Sequence, residues 1–246
     1  LADGRAATDA VALPEVSESV LLPIAAQHAG DPGFASFTQS FVYVTPPDLT
    51  ADRLERVLAR VVEHHGALRG RLAGGRFRID APGSIAGRTE VRDPWTGPEP
   101  LRATTERLSR QLDPEQGELW RAAWFPGRSG EAGRLLLIVH HIAVDGVSWR
   151  ILGDDLRHAW ELETGATAEP LEPTGTGVTT WAEALARRAA DDDIAAQRVY
   201  WASAAEAGPA LAGRELDPAH DTYATAGEIP IEIPAEITTS LLVDLP

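Results

Sequence analysis

An unbroken apolar run near the middle of the chain, residues 135–139, sets the strongest limit on the fold. The run reads Leu-Leu-Leu-Ile-Val and does not alternate with polar residues, so the strand that it predicts is covered on both faces. It is far too short to cross a membrane. The remaining elements therefore have to provide a packed layer on each side of a sheet.

A helical spacing of apolar residues follows Thr50, which is placed to cap a helix. The apolar positions of this helix are Leu54, Val57, Leu58, Val61 and Val62. Gly66 lies just past it, and Gly165 lies just past a helix predicted over 146–163, where glycine stops are expected. Other predicted elements are helices over 100–112, 180–190 and 192–206, a hairpin around 74–75, and strands over 76–80, 121–125, 134–140 and 229–233. Strands and helices mixed without strict alternation predict an α+β fold with a mixed sheet.

The composition excludes several classes of protein. The chain has no cysteine, which excludes disulfides, thiolate metal sites and cysteine nucleophiles. Its net charge is −15 and all 22 of its basic residues are arginine, so its acidic surface disfavours nucleic acid and anionic lipid as partners. The first residues, Leu-Ala-Asp-Gly-Arg, do not form a signal sequence. We therefore expect a soluble cytoplasmic protein with no membrane or nucleic-acid partner.

A cluster of polar residues follows the apolar strand. His140 and His141 end it, Asp145 and Gly146 follow, and a helix begins at about 147–149. Adjacent strand residues point to opposite faces, so one histidine can face a cleft while the other packs inward. Imidazole is suited to proton transfer near neutral pH, but a buried histidine is also a common core residue, and the spacing alone leaves both roles open. The divergence of the histidines and the lack of a third clustered ligand argue against a metal site.

The residues from 140 to 152, His-His-Ile-Ala-Val-Asp-Gly-Val-Ser-Trp-Arg-Ile-Leu, resemble the His-His-x-x-x-Asp-Gly signature of the condensation superfamily in nonribosomal peptide synthetases. The continuation Val-Ser-Trp-Arg-Ile-Leu resembles the epimerization subtype. Residues 63–69, Glu-His-His-Gly-Ala-Leu-Arg, resemble the family's second motif, and 198–201 carry a Tyr-Trp pair where such domains often have one. At 23–27 the sequence Pro-Ile-Ala-Ala-Gln departs from the family's opening Pro-Ile-Gln.

The resemblance implies a lobe like that of chloramphenicol acetyltransferase, with a mixed sheet flanked by helices, which forms half of a two-lobed, V-shaped domain. It divides the chain into a loose leader (1–19), an N-terminal lobe (20–225) and a crossover strand with the start of the second lobe (226–246). The glutamate that the family uses as a second acid or base belongs to the second lobe. We therefore expect residues 1–246 alone to be inactive or very weak unless the second lobe is supplied as a partner.

The resemblance also implies an activity. Epimerization domains remove the α-proton of an aminoacyl or peptidyl thioester, which a carrier protein presents on its phosphopantetheine arm, and return it to either face. By this resemblance His141 is the base, no cofactor is bound directly, and the partners are the carrier protein and neighbouring synthetase domains. The alternatives are amide formation by a condensation domain, a truncated module that only recruits carrier proteins, and a stand-alone acyltransferase.

The remaining motif residues receive supporting roles. His140 is a motif residue, and Asp145 resembles the family's structural aspartate, which pairs with the arginine of the second motif, here Arg69. Loss of such a buried ion pair would cost roughly 3–5 kcal/mol. Amides of the helix that follows Asp145 are candidates for stabilising the enolate oxygen. Residues expected to line the substrate channel are Gly146, Ser148 and Trp149. Ser148 also has an expected local role at the start of its helix, because the closing glycine of a nucleophile elbow is absent.

Overall fold

The computed structural model describes two compact units, Leu1–Asp191 and Asp192–Pro246, each of which is considered by itself. This boundary lies earlier than the expected one between 225 and 226, and the assignment of those segments to two lobes stays a prediction. The described residues are 10–12, 37–73, 76–83, 88–206, 217, 219–220 and 231–245. The departure from the family's opening motif at 23–27 falls outside them.

The first unit consists of two sheets and four α-helices. In chain order its elements are β1 (Ala10–Ala12), β2 (Thr38–Thr45), α1 (Ala51–His64), a 3₁₀ helix (Gly66–Arg69), β3 (Gly70–Ala73), β4 (Arg76–Ile79), β5 (Thr89–Val91), α2 (Glu99–Ser109), β6 (Trp120–Phe125), β7 (Gly133–His140), α3 (Ser148–Thr164) and α4 (Val178–Arg188). The larger sheet has the strand order β2-β7-β6-β5. β7 is antiparallel to both of its neighbours, whereas β5 is parallel to β6, so the sheet is mixed and the predicted α+β class is confirmed.

Strand β7 is buried on both faces, as its unbroken apolar sequence predicted. Leu135, Leu137 and Val139 pack in a core cluster with residues of α1 and α3. Leu136 and Ile138 point the other way and pack in a second cluster with residues of α2. Because every side chain of the run enters one of two cores, no position along it favours a polar residue.

Helix α1 begins where the sequence predicted. The Thr50 hydroxyl accepts a hydrogen bond from the backbone N–H of Arg53 at 3.4 Å. The buried residues of the helix are the predicted Leu54, Val57, Leu58, Val61 and Val62. The expected glycine stop is wrong: the chain leaves the helix through His65 in an extended conformation, and Gly66 begins the 3₁₀ helix without adopting positive φ.

The smaller sheet has the order β1-β4-β3. Its β3–β4 pair confirms the predicted hairpin, although residues 74–75 lie outside the described residues. β1 pairs antiparallel with β4, so Ala10–Ala12 form a strand within the segment expected to be a loose leader. The rest of that segment is not described.

Helix boundaries follow the sequence pattern, with local differences. Helix α3 ends at Gly165, which has φ 76° and so forms the predicted left-handed stop. In the second unit the predicted helix over 192–206 is divided into α5 (Asp192–Ala195) and α6 (Arg198–Glu206), and α7 (Ala235–Thr239) precedes a π-helical turn. The part of 229–233 that the structure describes forms no strand, and the remainder lies outside it. Among the described helices, none combines the length and apolar character needed to cross a membrane.

Candidate active site

The two histidines of the motif diverge, as the strand geometry predicted. His140 is the last residue of β7 and is fully buried. Its backbone N–H donates to the carbonyl oxygen of Leu119 at 2.7 Å, and its Nδ1 accepts from the N–H of Ile142 at 3.2 Å. These contacts hold the turn after β7, so His140 has a structural position.

His141 is half-buried and faces the beginning of β2. Its imidazole stacks on the ring of Phe37, with ring centroids 4.8 Å apart and an interplanar angle of 13°. Its backbone N–H donates to the carbonyl oxygen of Phe37 at 2.9 Å. Its Nε2 lies 2.8 Å from Nε2 of Gln39, while its buried Nδ1 has no hydrogen-bond partner within the described part of the chain.

Gln39 joins His141 to the first turn of α3. Its Oε1 accepts a hydrogen bond from the indole N–H of Trp149 at 2.7 Å. Trp149 is buried, stacks on Phe41 with ring centroids 5.8 Å apart, and accepts a hydrogen bond from the hydroxyl of Tyr43 at its carbonyl oxygen. Burial raises the pKa of Tyr43 to about 12. Three side chains from β2, the end of β7 and α3 therefore form one hydrogen-bonded group.

Asp145 caps the turn that leads into α3. Its Oδ1 accepts from the backbone N–H groups of Val147 and Ser148 at 3.1 and 2.9 Å, and from the Ser148 hydroxyl at 2.7 Å. The Ser148 oxygen in turn accepts from the N–H of Asp145 at 3.0 Å. These bonds, above all the one from the hydroxyl, lower the pKa of Asp145. Because Asp145 occupies both amides, the expectation that amides of this turn stabilise an enolate oxygen is wrong for these two groups.

Arg69 does not pair with Asp145, so the contact implied by the resemblance is wrong. The Nη1 of Arg69 donates to the carbonyl oxygens of Val62 and Glu63 at 2.6 and 2.5 Å, and its Nε donates to that of Asp80 at 3.1 Å. Burial lowers the pKa of the guanidinium. Arg69 therefore ties the last turn of α1 to the end of β4, whereas Asp145 is satisfied by its own turn.

Gly146 is exposed and has open space around it. A Cβ added there would meet no atom within 4 Å, and its backbone is not left-handed. A turn that demands positive φ is therefore not the reason for glycine at this position. Ser148 begins α3 and Trp149 is buried beside Gln39, and the expected channel-lining role of these residues stays a prediction.

A cavity of about 430 Å³ lies between α1, α3 and the motif loop, with Ala143 and Ser148 among its lining residues. On its wall, His65 Nε2 and Asp155 Oδ2 are 2.6 Å apart. Burial lowers the pKa of His65 more strongly than Asp155 raises it. Donor atoms of His64, His65 and Asp155 lie within 4.8 Å of one another, close enough to hold a metal ion. Since two of them already bond to each other, we assign them to joining α1 and α3.

Comparison with known proteins agrees with the motif. Residues 28–242 match the model of the condensation domain family. A linear gramicidin synthase protein of Brevibacillus parabrevis is 30% identical over 226 residues, which are 87% of this chain and 3% of that protein. The epimerization domain from the third module of tyrocidine synthetase B superposes with a TM-score of 0.68 at 21% identity, covering 85% of this chain and 48% of that one.

A condensation domain is nearly as similar. The first condensation domain of the calcium-dependent antibiotic synthetase gives a TM-score of 0.66 at 19% identity, covering 82% of this chain and 50% of that one. The chain thus spans about half the length of the solved domains that it matches. At these identities the two likenesses show a shared fold and do not separate two activities. The chain belongs to the condensation domain family, the superfamily of nonribosomal peptide synthetase domains that the motif at 140–146 indicated.

Proposed function

We propose that this domain epimerizes the α-carbon of an aminoacyl or peptidyl thioester carried by a carrier protein. The observation that carries the proposal is the environment of His141, a half-buried imidazole that contacts an amide and an aromatic ring. Among the described residues, no carboxylate contacts it, so the imidazole is arranged as a neutral base. The sequence Val-Ser-Trp after the motif glycine is the second support, because its tryptophan holds Gln39.

In the proposed step, His141 accepts the α-proton of the thioester. The electron pair of the broken C–H bond moves into an enolate, whose negative charge lies on the thioester oxygen. Return of a proton to the opposite face of the α-carbon gives the other configuration. A positioned general base contributes about 10²–10⁴ in rate, so stabilisation of the enolate is needed as well.

The partners in this proposal are a carrier protein with a thioester-linked peptide and the neighbouring domains of a synthetase. The substrate arrives on the phosphopantetheine arm of the carrier, and the domain binds no cofactor directly. The half of the solved epimerization domain that this chain does not cover is a further partner, which closes the site and provides the second acid or base.

Condensation is the second candidate, because a condensation domain superposes almost as well as the epimerization domain. In that reaction the same imidazole would assist the attack of a carrier-bound amine on a carrier-bound thioester, and no α-proton would exchange. A module that only recruits carrier proteins is the third candidate, and it requires neither exchange nor amide formation.

The test measures exchange of the α-proton in deuterated water with a carrier-bound aminoacyl or peptidyl thioester. Wild type is compared with His141→Ala and with His158→Ala, a control on α3 whose imidazole bonds to the backbone of Glu169. We expect exchange to require His141 and to survive in the control. Residues 1–246 are assayed alone and together with the half that they do not cover, and we expect exchange to need both.

Other results of this assay would favour the other candidates. Amide formation with an added carrier-bound amine, without exchange, would establish condensation. Carrier binding without either reaction would establish recruitment. The variant Gly146→Ala tests the channel: the added methyl group meets no neighbour, so stability should change by less than about 0.5 kcal/mol while exchange falls.

A further inference from the structure

We propose that Gln39, held by Trp149, is a positioning residue that fixes the tautomer of His141, with the proton on Nδ1 and the lone pair on Nε2. The catalytic meaning of this inference rests on the proposed function, but the tautomer itself does not. Gln39 lies on β2 at the opposite side of the site from the motif, and no part of the signature sequence includes it.

The orientation of the Gln39 amide follows from its contact with Trp149. An indole N–H can only donate a hydrogen bond, so the atom of Gln39 that lies 2.7 Å from it must be the oxygen. The reversed amide would place two N–H groups against each other. The NH₂ group of Gln39 is therefore the end that faces His141.

The orientation of the amide determines the state of the imidazole. The NH₂ group of Gln39 has donors and no acceptor, so the His141 Nε2 at 2.8 Å must accept. A neutral imidazole with an accepting Nε2 carries its proton on Nδ1. The structure thus makes Nε2 the basic nitrogen, and the α-proton of a substrate would reach it by replacing the amide of Gln39.

Both ends of this group are held by the fold. The β2–β7 register pairs Gln39 with Val139, and the backbone of His141 donates to Phe37, so the two side chains start from adjacent strands. The stacking of the imidazole on Phe37 opposes a ring flip that would turn Nε2 away from Gln39. At the other end, Trp149 is buried in the first turn of α3.

The test is ¹⁵N NMR of imidazole-labelled protein at a pH where His141 is neutral, since the nitrogen shifts separate the two tautomers directly. The His141→Gln variant identifies the resonances among the 7 histidines. We expect protonated Nδ1 and unprotonated Nε2 in the wild-type chain. The opposite tautomer, or an equal mixture of both, would overturn the inference without any variant being made.

Variants then test whether Gln39 is the cause. In Gln39→Glu the carboxylate can only accept, so we expect a proton to move to Nε2. In Trp149→Phe the amide is free to turn, and we expect a mixture of tautomers. Ser40→Ala, at the exposed next position of β2, is the matched control and should leave the wild-type tautomer. An unchanged tautomer in Gln39→Glu would overturn the role of Gln39.

Exchange kinetics separate this inference from the proposed function. If exchange requires His141, Gln39→Glu should lower kcat by about 10²–10⁴, the range of a general base, with little change in KM. The wild-type tautomer as stated, with no exchange under any condition, would overturn the epimerization proposal and leave the positioning role intact. Exchange that needs His141 but proceeds with a proton on Nε2 in the resting protein would do the reverse.

Discussion

Replacement of Asp145 by alanine separates a capping role from a buried ion pair. In the structure its carboxylate is exposed and accepts three hydrogen bonds, two from amides of its own turn and one from the Ser148 hydroxyl. Loss of such a cap costs about 1 kcal/mol, within a range of about 0.5–2 kcal/mol. Loss of a negative charge at the start of a helix adds about 0.3–1 kcal/mol. We therefore expect Asp145→Ala to lower the free energy of unfolding by about 1–2 kcal/mol.

The assay is urea unfolding followed by tryptophan fluorescence, with Asp145→Asn and Arg69→Met as companion variants. Asparagine caps helices about as well as aspartate, so Asp145→Asn should lose less than Asp145→Ala. In a double-mutant cycle the effects of Asp145→Ala and Arg69→Met should add to within about 0.5 kcal/mol, because the two side chains have separate partners. A coupling of roughly 3–5 kcal/mol would show a buried ion pair and refute the capping role.

The pH dependence of the same variants gives a second check. The pKa of Asp145 lies below its ordinary value of 3.8 because the capping bonds favour the charged carboxylate. The unfolded chain therefore takes up this proton first as the pH falls, and the stabilisation is complete only above 3.8. The difference in stability between wild type and Asp145→Asn should shrink as the pH falls below this value. A difference that is constant to lower pH would contradict the assignment.

Three further predictions concern the packing of the first unit. Gly70→Ala would place a Cβ 2.0 Å from the ring of Phe77, so we expect a loss of about 1–3 kcal/mol in chemical unfolding; full stability would show that the ring moves freely. Ile138→Val removes one methylene from a fully buried site and should cost about 0.5–1.5 kcal/mol in the same assay. The pKa of His65 lies below its ordinary 6.5 because burial outweighs Asp155, so the unfolded chain takes up this proton first. Stability should therefore fall as the pH drops below 6.5, and His65→Gln should remove that part of the dependence in unfolding titrations.

The elements that frame the site could be predicted because each follows from a local pattern. The run at 135–139 had to be a strand buried on both faces, since it has no polar side. The positive-φ end of α3 at Gly165 follows from glycine's freedom to adopt that backbone. The divergence of His140 and His141 follows from the alternation of side chains along a strand. None of these conclusions depends on how distant segments pair.

The partners of the site residues could not be predicted, because they depend on such pairing. Gln39 lies 102 positions from His141 and 110 from Trp149, and it reaches both only in the observed register of β2 on β7. On the sequence alone it is one polar residue of a strand. The contact expected between Arg69 and Asp145 failed for a related reason: local carbonyl and amide groups satisfy each of them before they can meet.

The structure connects the aspartate of the motif to its histidine without any contact between them. Asp145 fixes the turn from which α3 begins, and Trp149 stands in the first turn of that helix. Trp149 orients Gln39, and Gln39 faces Nε2 of His141. A motif that joins a histidine to an aspartate four positions later can therefore serve one base, although the aspartate never touches it. In this arrangement a frayed start of α3 loosens Trp149 first, so a capping defect should appear as a mixture of His141 tautomers before the fold itself is lost.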